Sequence, residues 1–164
     1  MGSFSRVYVI DDHRVVKFCC DLQSLQIMER LGAQSRFFPR VHTVLEDQAR
    51  DGEQIYHAAI IERLLEGYPV WMRSIIDGYR QPFRADSPIF ASVRLLRVSS
   101  SILEGDIIVP PGDVQELAAA MRLLAAECLK GACLADLRTE VNIMLRPCGQ
   151  AVIADPTHPI LPNY

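Results

Sequence analysis

The sequence predicts an α+β fold in which strands come first and helices dominate afterwards. Three observations support this prediction. Runs of β-branched and aromatic residues alternate with polar turns in the segment 1–66. Apolar residues at helical spacing prevail in the segment 67–164. The whole chain has 164 residues, about the size of one domain, so the two segments are expected to form one compact unit.

Two hairpins and one helix are predicted in the segment 1–66. The strands RVYVI and VVKFC flank the turn DDHR, and strands over 41–46 and 54–63 flank the polar tip DQARDGEQ. Between the hairpins, Asp21 is a suitable N-cap for a helix over 22–31, and Gly32 is expected to end that helix.

The segment 67–164 predicts helices over 70–79, 89–98 and 114–130, the first two separated by the breaker cluster RQPFRADSP. The third has the strongest signals, because Asp113 and Glu116 form a D-x-x-E start and Gly131 follows its apolar stripe. Two short strands over 143–145 and 151–154 flank the turn RPCGQ. The last ten residues contain three prolines and are expected to be extended.

Composition excludes several classes of protein. The 17 basic and 20 acidic side chains give a net charge of −3, without the strong basic field typical of nucleic-acid binding. No apolar run reaches the length of about 18–20 residues that a membrane span needs, and the start of the sequence lacks the features of a signal peptide. Five cysteines without a C-x-x-C pair favour free thiols over disulfides or a zinc site. We therefore expect a cytoplasmic protein.

Four polar residues stand in apolar surroundings: Lys17 in VVKFC, Glu29 on the first helix, Asn142 before IML and Asp155 after AVIA. Lysine is rare here, since 15 of the 17 basic residues are arginine. Lys17 either extends from an edge strand into water or enters a cleft and binds an anion. Asn142 and Asp155 bracket a predicted hairpin, and their oxygens are ligands suited to Mg²⁺.

Several segments match known motifs in order and spacing. These are GSFSRV at 2–7, VKF at 16–18, IIERL at 60–64, a loop from Asp136 to Asn142, and Asp155-Pro156 after a strand. Together they resemble the protein kinases, and in particular short kinase-like proteins encoded by bacteriophages. The resemblance covers nearly the whole chain. It implies a minimal two-lobed fold, with an antiparallel sheet and one helix in the N-lobe, a truncated helical C-lobe, and a catalytic-loop-like segment over 134–155.

The resemblance also implies an ATP- and Mg²⁺-dependent phosphotransferase that acts on a host protein. Its implied site residues fall into three groups: catalytic Lys17, Glu29 and Asp136; nucleotide-binding Gly2, Ser3, Val7, Lys17, Glu62 and Leu64; and the metal ligands Asn142 and Asp155. In this assignment Glu29 orients Lys17, residues 60–64 hold adenine through backbone hydrogen bonds, and Asp136 is the catalytic base.

The sequence departs from the kinase pattern at several points. Asp136 lies six residues before Asn142, whereas the family places its catalytic Asp five before, where this chain has Leu137. Leu134 occupies the position of a usual His, the chain starts within the glycine-rich loop, and only nine residues follow Asp155.

These departures leave alternatives open. The protein is either an enzyme with one extra loop residue, or a catalytically inactive pseudokinase that binds and modulates a host protein. A third hypothesis is that the protein is an α+β domain whose match to the kinase motifs is accidental. Apolar surface left by missing elements would suit a homodimer or a partner protein.

Overall fold

The computed structural model describes residues 5–80, 87–131, 133–137 and 140–159. These residues form an α+β fold with a four-stranded antiparallel sheet and four helices, as the sequence predicts at this level. The elements in chain order are β1 Arg6–Val9, β2 Arg14–Cys19, α1 Leu22–Gln34, β3 Val41–Asp51, β4 Gln54–Glu62, β5 Leu65–Glu66, α2 Met72–Arg80, α3 Pro88–Glu104, α4 Val114–Gly131, β6 Cys133–Ala135, β7 Ile143–Leu145, β8 Ala151–Ile153 and β9 Thr157–Pro159.

The four-stranded sheet has the order β1-β2-β4-β3 and contains both predicted hairpins. Alternate residues of β2 are buried, namely Val15, Lys17 and Cys19, so they share the inner face of the sheet. Leu25 and Met28 of α1 belong to the same hydrophobic cluster as Val15 and Cys19. Lys17 therefore lies on the face of the sheet against which α1 packs.

Helix α1 begins as predicted but continues beyond Gly32. The carboxylate of Asp21 accepts a hydrogen bond from the backbone N–H of Ser24, so the predicted N-cap is confirmed. Gly32 lies within the helix, where a Cβ atom would come 2.0 Å from the carbonyl oxygen of Pro39. The glycine is therefore required by a close approach of the chain and does not end the helix.

Strand β3 is longer than predicted, because the polar tip is part of the hairpin ladder. The register of β3 against β4 shifts between Leu45 and Ala49, and Asp47 in this irregularity has a φ of 53°. The chain reverses at Gly52, whose φ is 60°. After this bulge, residues 49–51 of the predicted polar tip pair with β4.

Helix α3 extends to Glu104, well past the predicted end at residue 98. The hydroxyl of Ser99 donates to the carbonyl of Ala118 on α4 at 2.9 Å, so the serine run is stabilised by tertiary packing. Gly105 ends the helix with a φ of 85°. Residues 81–86 of the predicted breaker cluster lie outside the described residues.

Two small sheets complete the second part of the chain, with the orders β5-β7-β8 and β6-β9. The predicted strands before and after the turn RPCGQ are confirmed as β7 and β8, whereas β5 and β6 are not predicted from the sequence. Buried apolar residues form two clusters, one under the four-stranded sheet and a larger one around α2, α3 and α4. None of the helices in the described ranges has the length and hydrophobicity needed to cross a bilayer.

Candidate functional site

A cleft of 280 Å³ lies between the inner face of the four-stranded sheet and the β7–β8 hairpin. Six of the residues assigned to the site from the sequence line it: Val7, Lys17, Glu62, Leu64, Asn142 and Asp155. They come from distant parts of the chain, so the fold itself gathers them.

Lys17 and Asp155 form an ion pair in this cleft. The Nζ atom of Lys17 lies 2.8 Å from Oδ2 of Asp155. Lys17 is buried because it alternates with Val15 and Cys19 on the inner face of β2. A buried ammonium group needs a compensating charge or hydrogen bond, and Asp155 supplies both. The interpretation of Lys17 as a cleft residue, and not one extended into water, agrees with this geometry.

A set of three hydrogen bonds joins the loop before β7 to the segment after β8. The side-chain Nδ2 of Asn142 donates to the carbonyl of Asp136 at 2.9 Å. The N–H of Asp136 donates to the carbonyl of Pro156 at 2.9 Å, and the N–H of Ala154 donates to the carbonyl of Asn142 at 2.7 Å. These bonds fix Asp136, Asn142 and the Asp155-Pro156 segment relative to one another.

The loop from Asp136 to Asn142 buries one of its first two side chains and leaves the other partly exposed. Leu137 is fully buried in the larger hydrophobic cluster, whereas Asp136 is half-buried. A 3₁₀ turn over Glu140–Asn142 then leads into β7. Leu137 is therefore held in the core, whereas Asp136 lies beside Asn142 through its backbone carbonyl and is not among the residues that line the cleft.

Asn142 and Asp155 both line the cleft, and their side-chain oxygens are of the kind that Mg²⁺ prefers as ligands. Nδ2 of Asn142 is held by the carbonyl of Asp136, which leaves Oδ1 as the atom available for a ligand. In the described part of the chain no group of three or more His, Cys, Asp or Glu residues could hold a metal. Two protein oxygens completed by water and phosphate oxygens are typical of Mg²⁺, so the donor set suits that ion.

Glu29, which the resemblance assigns as the partner of Lys17, is exposed on α1. Leu25 and Met28 face the sheet, and the next residue along a helix turns about 100° away from such a face. The carboxylate beside Lys17 is instead that of Asp155. The structure thus separates Glu29 from the other assigned residues.

Glu62 lines the cleft but is engaged in a partly buried ion pair with Arg146, a residue that sequence reasoning missed. Arg146 donates from Nη2 to Oε1 of Glu62 at 2.6 Å and from Nε to Oε2 at 2.9 Å. Arg146 also donates to the carbonyls of Arg36 and Phe38. It therefore ties the end of β4 and the chain after α1 to the β7–β8 hairpin. Nothing in the local pattern around Arg146 distinguishes it from the other arginines.

The backbone donors next to the cleft are partly in use. The N–H of Glu62 donates to the carbonyl of Arg40 at 2.9 Å, and the N–H of Arg63 donates to that of His13 at 2.7 Å. Leu64, the last of the residues 60–64 assigned to adenine, follows Glu62 and Arg63 in the chain and also lines the cleft. A base bound here would approach the backbone at Leu64.

Gly2 and Ser3, assigned to a phosphate-binding loop, lie outside the described residues.

Comparison of the chain with models of protein families, with curated proteins and with solved structures found no match. The chemistry of the cleft must therefore carry any functional argument.

Proposed function

We propose that the protein is an ATP- and Mg²⁺-dependent phosphotransferase of a minimal kinase type that acts on a protein hydroxyl. In this proposal the four-stranded sheet with α1 is one lobe, and the helices α2–α4 with the small sheets are the other. The two hydrophobic clusters and the cleft between the sheet and the β7–β8 hairpin support this division. Helix α1 lies between the two clusters, with Leu25 and Met28 in the smaller one and Ile27 and Leu31 in the larger one.

The observation that carries the proposal is the convergence of Lys17, Asn142 and Asp155 in one cleft. A buried ammonium group beside carboxylate and amide oxygens can serve a polyphosphate with its counter-ion. In the free protein Asp155 neutralises Lys17. With nucleotide bound, Lys17 would contact phosphate oxygens, and the carboxylate of Asp155 would become a metal ligand.

Each residue then has a defined task in the reaction. Oδ1 of Asn142 and the carboxylate of Asp155 would hold a Mg²⁺ ion, which would supply neutralisation of the charge on the phosphates. Lys17 orients the phosphates. The substrate hydroxyl oxygen forms a bond to the γ-phosphorus as the bond to the bridging oxygen of ADP breaks. Asp136 accepts the hydroxyl proton, and the hydrogen bond from Asn142 to its carbonyl keeps it in place.

The test is transfer of labelled γ-phosphate from Mg·ATP to proteins of a bacterial extract. We expect transfer by the wild type, loss of transfer in Lys17→Met and Asp136→Asn, and unchanged transfer in Asp106→Asn, which alters an exposed aspartate outside the cleft. Persistence of transfer in Asp136→Asn would remove Asp136 as the base. Absence of transfer by the wild type would remove the enzyme assignment.

A second function, a catalytically inactive protein that binds a host protein, is favoured by one feature of the cleft. The N–H groups of Glu62 and Arg63 are already bonded within the chain, and the volume of 280 Å³ falls just below the range of about 300–1,000 Å³ common for small-molecule sites. If Mg·ATP does not raise the melting temperature of the wild type, this second function becomes the better one.

A further inference from the structure

Strand β1 forms an open and apolar edge of the four-stranded sheet. In the part of the chain that the structure describes, β1 pairs with β2 alone. Val7, Tyr8, Val9 and the following Ile10 are between 45% and 62% exposed, and they alternate between both faces of the sheet. Proteins usually protect such an edge with charges, proline or a covering element, because a second strand can add to it.

The backbone of β1 has pairing groups available at this edge. The N–H of Ile10 donates to the carbonyl of Arg14 at 3.0 Å, and Tyr8 lies opposite Val16. In an antiparallel ladder every second residue bonds to the same neighbour. Tyr8 and Ile10 therefore bond toward β2, whereas Val7 and Val9 direct their N–H and C=O groups outward.

The charges at the two ends of β1 favour an antiparallel copy of the same strand. Arg6 lies at the start, and Asp12 lies in the turn after the strand, where its side chain is 98% exposed and 3.9 Å from the guanidinium of Arg63. The other carboxylate of the turn, that of Asp11, is bonded to Arg14. Antiparallel pairing of two such strands brings each Arg6 toward the exposed Asp12 of the other copy. Parallel pairing would instead bring like charges together.

We propose that two copies of this chain associate through β1, antiparallel about a two-fold axis at Tyr8. In this register Val7 of each copy is opposite Val9 of the other, and their outward groups exchange four backbone hydrogen bonds. The two sheets become one of eight strands, and the two Tyr8 rings lie side by side next to Phe18, which Tyr8 already contacts edge-on at 6.0 Å. The ladder is short, so the dimer is concentration-dependent. This inference does not depend on the proposed function.

The experiment is sedimentation velocity of the full chain over a wide concentration series. Val9→Pro removes an outward N–H while sparing the bonds to β2, so the dimer Kd should rise by about tenfold or more. Arg6→Glu should also weaken the dimer, and Arg6→Glu with Asp12→Arg should restore it. Ile108→Lys, at an exposed apolar residue elsewhere, is the control and should leave the Kd unchanged.

Three outcomes would overturn the proposal. They are a wild type that stays monomeric at every concentration, a dimer that survives Val9→Pro, and a charge reversal that fails to restore association. Melting temperatures of the variants close to that of the wild type will show that Val9→Pro retains the fold, and the charge-reversal pair tests the same interface without a proline.

Discussion

The ammonium group of Lys17 lies 2.8 Å from the carboxylate of Asp155, and this contact joins β2 to the segment that follows β8. The lysine side chain is 9% exposed, whereas that of Asp155 is 39% exposed. The carboxylate can therefore exchange its partner for a solvent-borne ligand at small cost, whereas the lysine cannot remain without an anion. This asymmetry agrees with the proposed binding of an anionic ligand beside Lys17.

Lys17→Met and Asp155→Asn should each abolish stabilisation of the protein by Mg·ATP. Nucleotide at a hundredfold excess over its Kd would stabilise the wild type by about 2.7 kcal/mol, which is readily measured as a shift in melting temperature. Lys130→Met is the matched control, because Lys130 is the only other lysine and its side chain is 74% exposed. Equal loss of the shift in Lys130→Met, or a shift retained in Lys17→Met, would contradict a role of Lys17 in phosphate binding.

Arg146→Met should destabilise the protein by about 3 kcal/mol, since it leaves the carboxylate of Glu62 buried without its cation. The two side chains are only 12% and 16% exposed. In urea unfolding, Glu62→Leu combined with Arg146→Met should cost less than the sum of the two single changes. Arg73→Met, at an exposed arginine of α2, should have little effect. Additive costs would show that the pair is not coupled.

Gly32→Ala should destabilise the fold by about 3 kcal/mol, because the new Cβ atom would meet the backbone carbonyl of Pro39 at 2.0 Å. Gly112→Ala is the control, since a Cβ atom there has nothing within 4 Å. Thermal unfolding of both variants measures the difference. A Gly32→Ala protein as stable as the wild type would mean that α1 and the chain at Pro39 separate easily.

Features with local causes could be predicted from the sequence. The turn between β1 and β2, the N-cap at Asp21 and the start of α4 each depend on a few neighbouring residues, and the structure confirms them. Lys17 can be predicted as a candidate cleft residue, because lysine is rare in this chain and Lys17 interrupts an apolar strand pattern.

Features with long-range causes could not be predicted. Gly32 resembles a helix stop, but it is needed for contact with Pro39, and the serine run of α3 stays helical because Ser99 bonds to α4. Arg146 acts through Glu62 and the carbonyl of Phe38, both distant in sequence. Glu29 was assigned through the kinase resemblance, yet the geometry of α1 exposes it.

The turn between β1 and β2 contains a titrating group whose effect on stability has a definite sign. The carboxylate of Asp11 accepts hydrogen bonds from the Arg14 guanidinium at 2.6 and 2.9 Å, and from the backbone N–H groups of His13 and Arg14. The hydrogen bond from the Arg14 side chain is the main cause that lowers the pKa of Asp11 to about 2. In the unfolded chain its pKa is near 3.9.

Asp11→Asn should therefore remove a stabilisation that is fully present above about pH 4 and is lost as the pH falls through about 2. The folded carboxyl group binds its proton less readily than the unfolded one, so acid favours unfolding across this window. Melting temperatures of the wild type and Asp11→Asn, measured from neutral pH downward, should differ most above pH 4 and converge toward pH 2. Asp106→Asn, at an exposed aspartate outside this turn, is the control and should show a much smaller difference. A gap between the wild type and Asp11→Asn that stays constant down to pH 2 would mean that the carboxylate of Asp11 does not stabilise the turn through its charge.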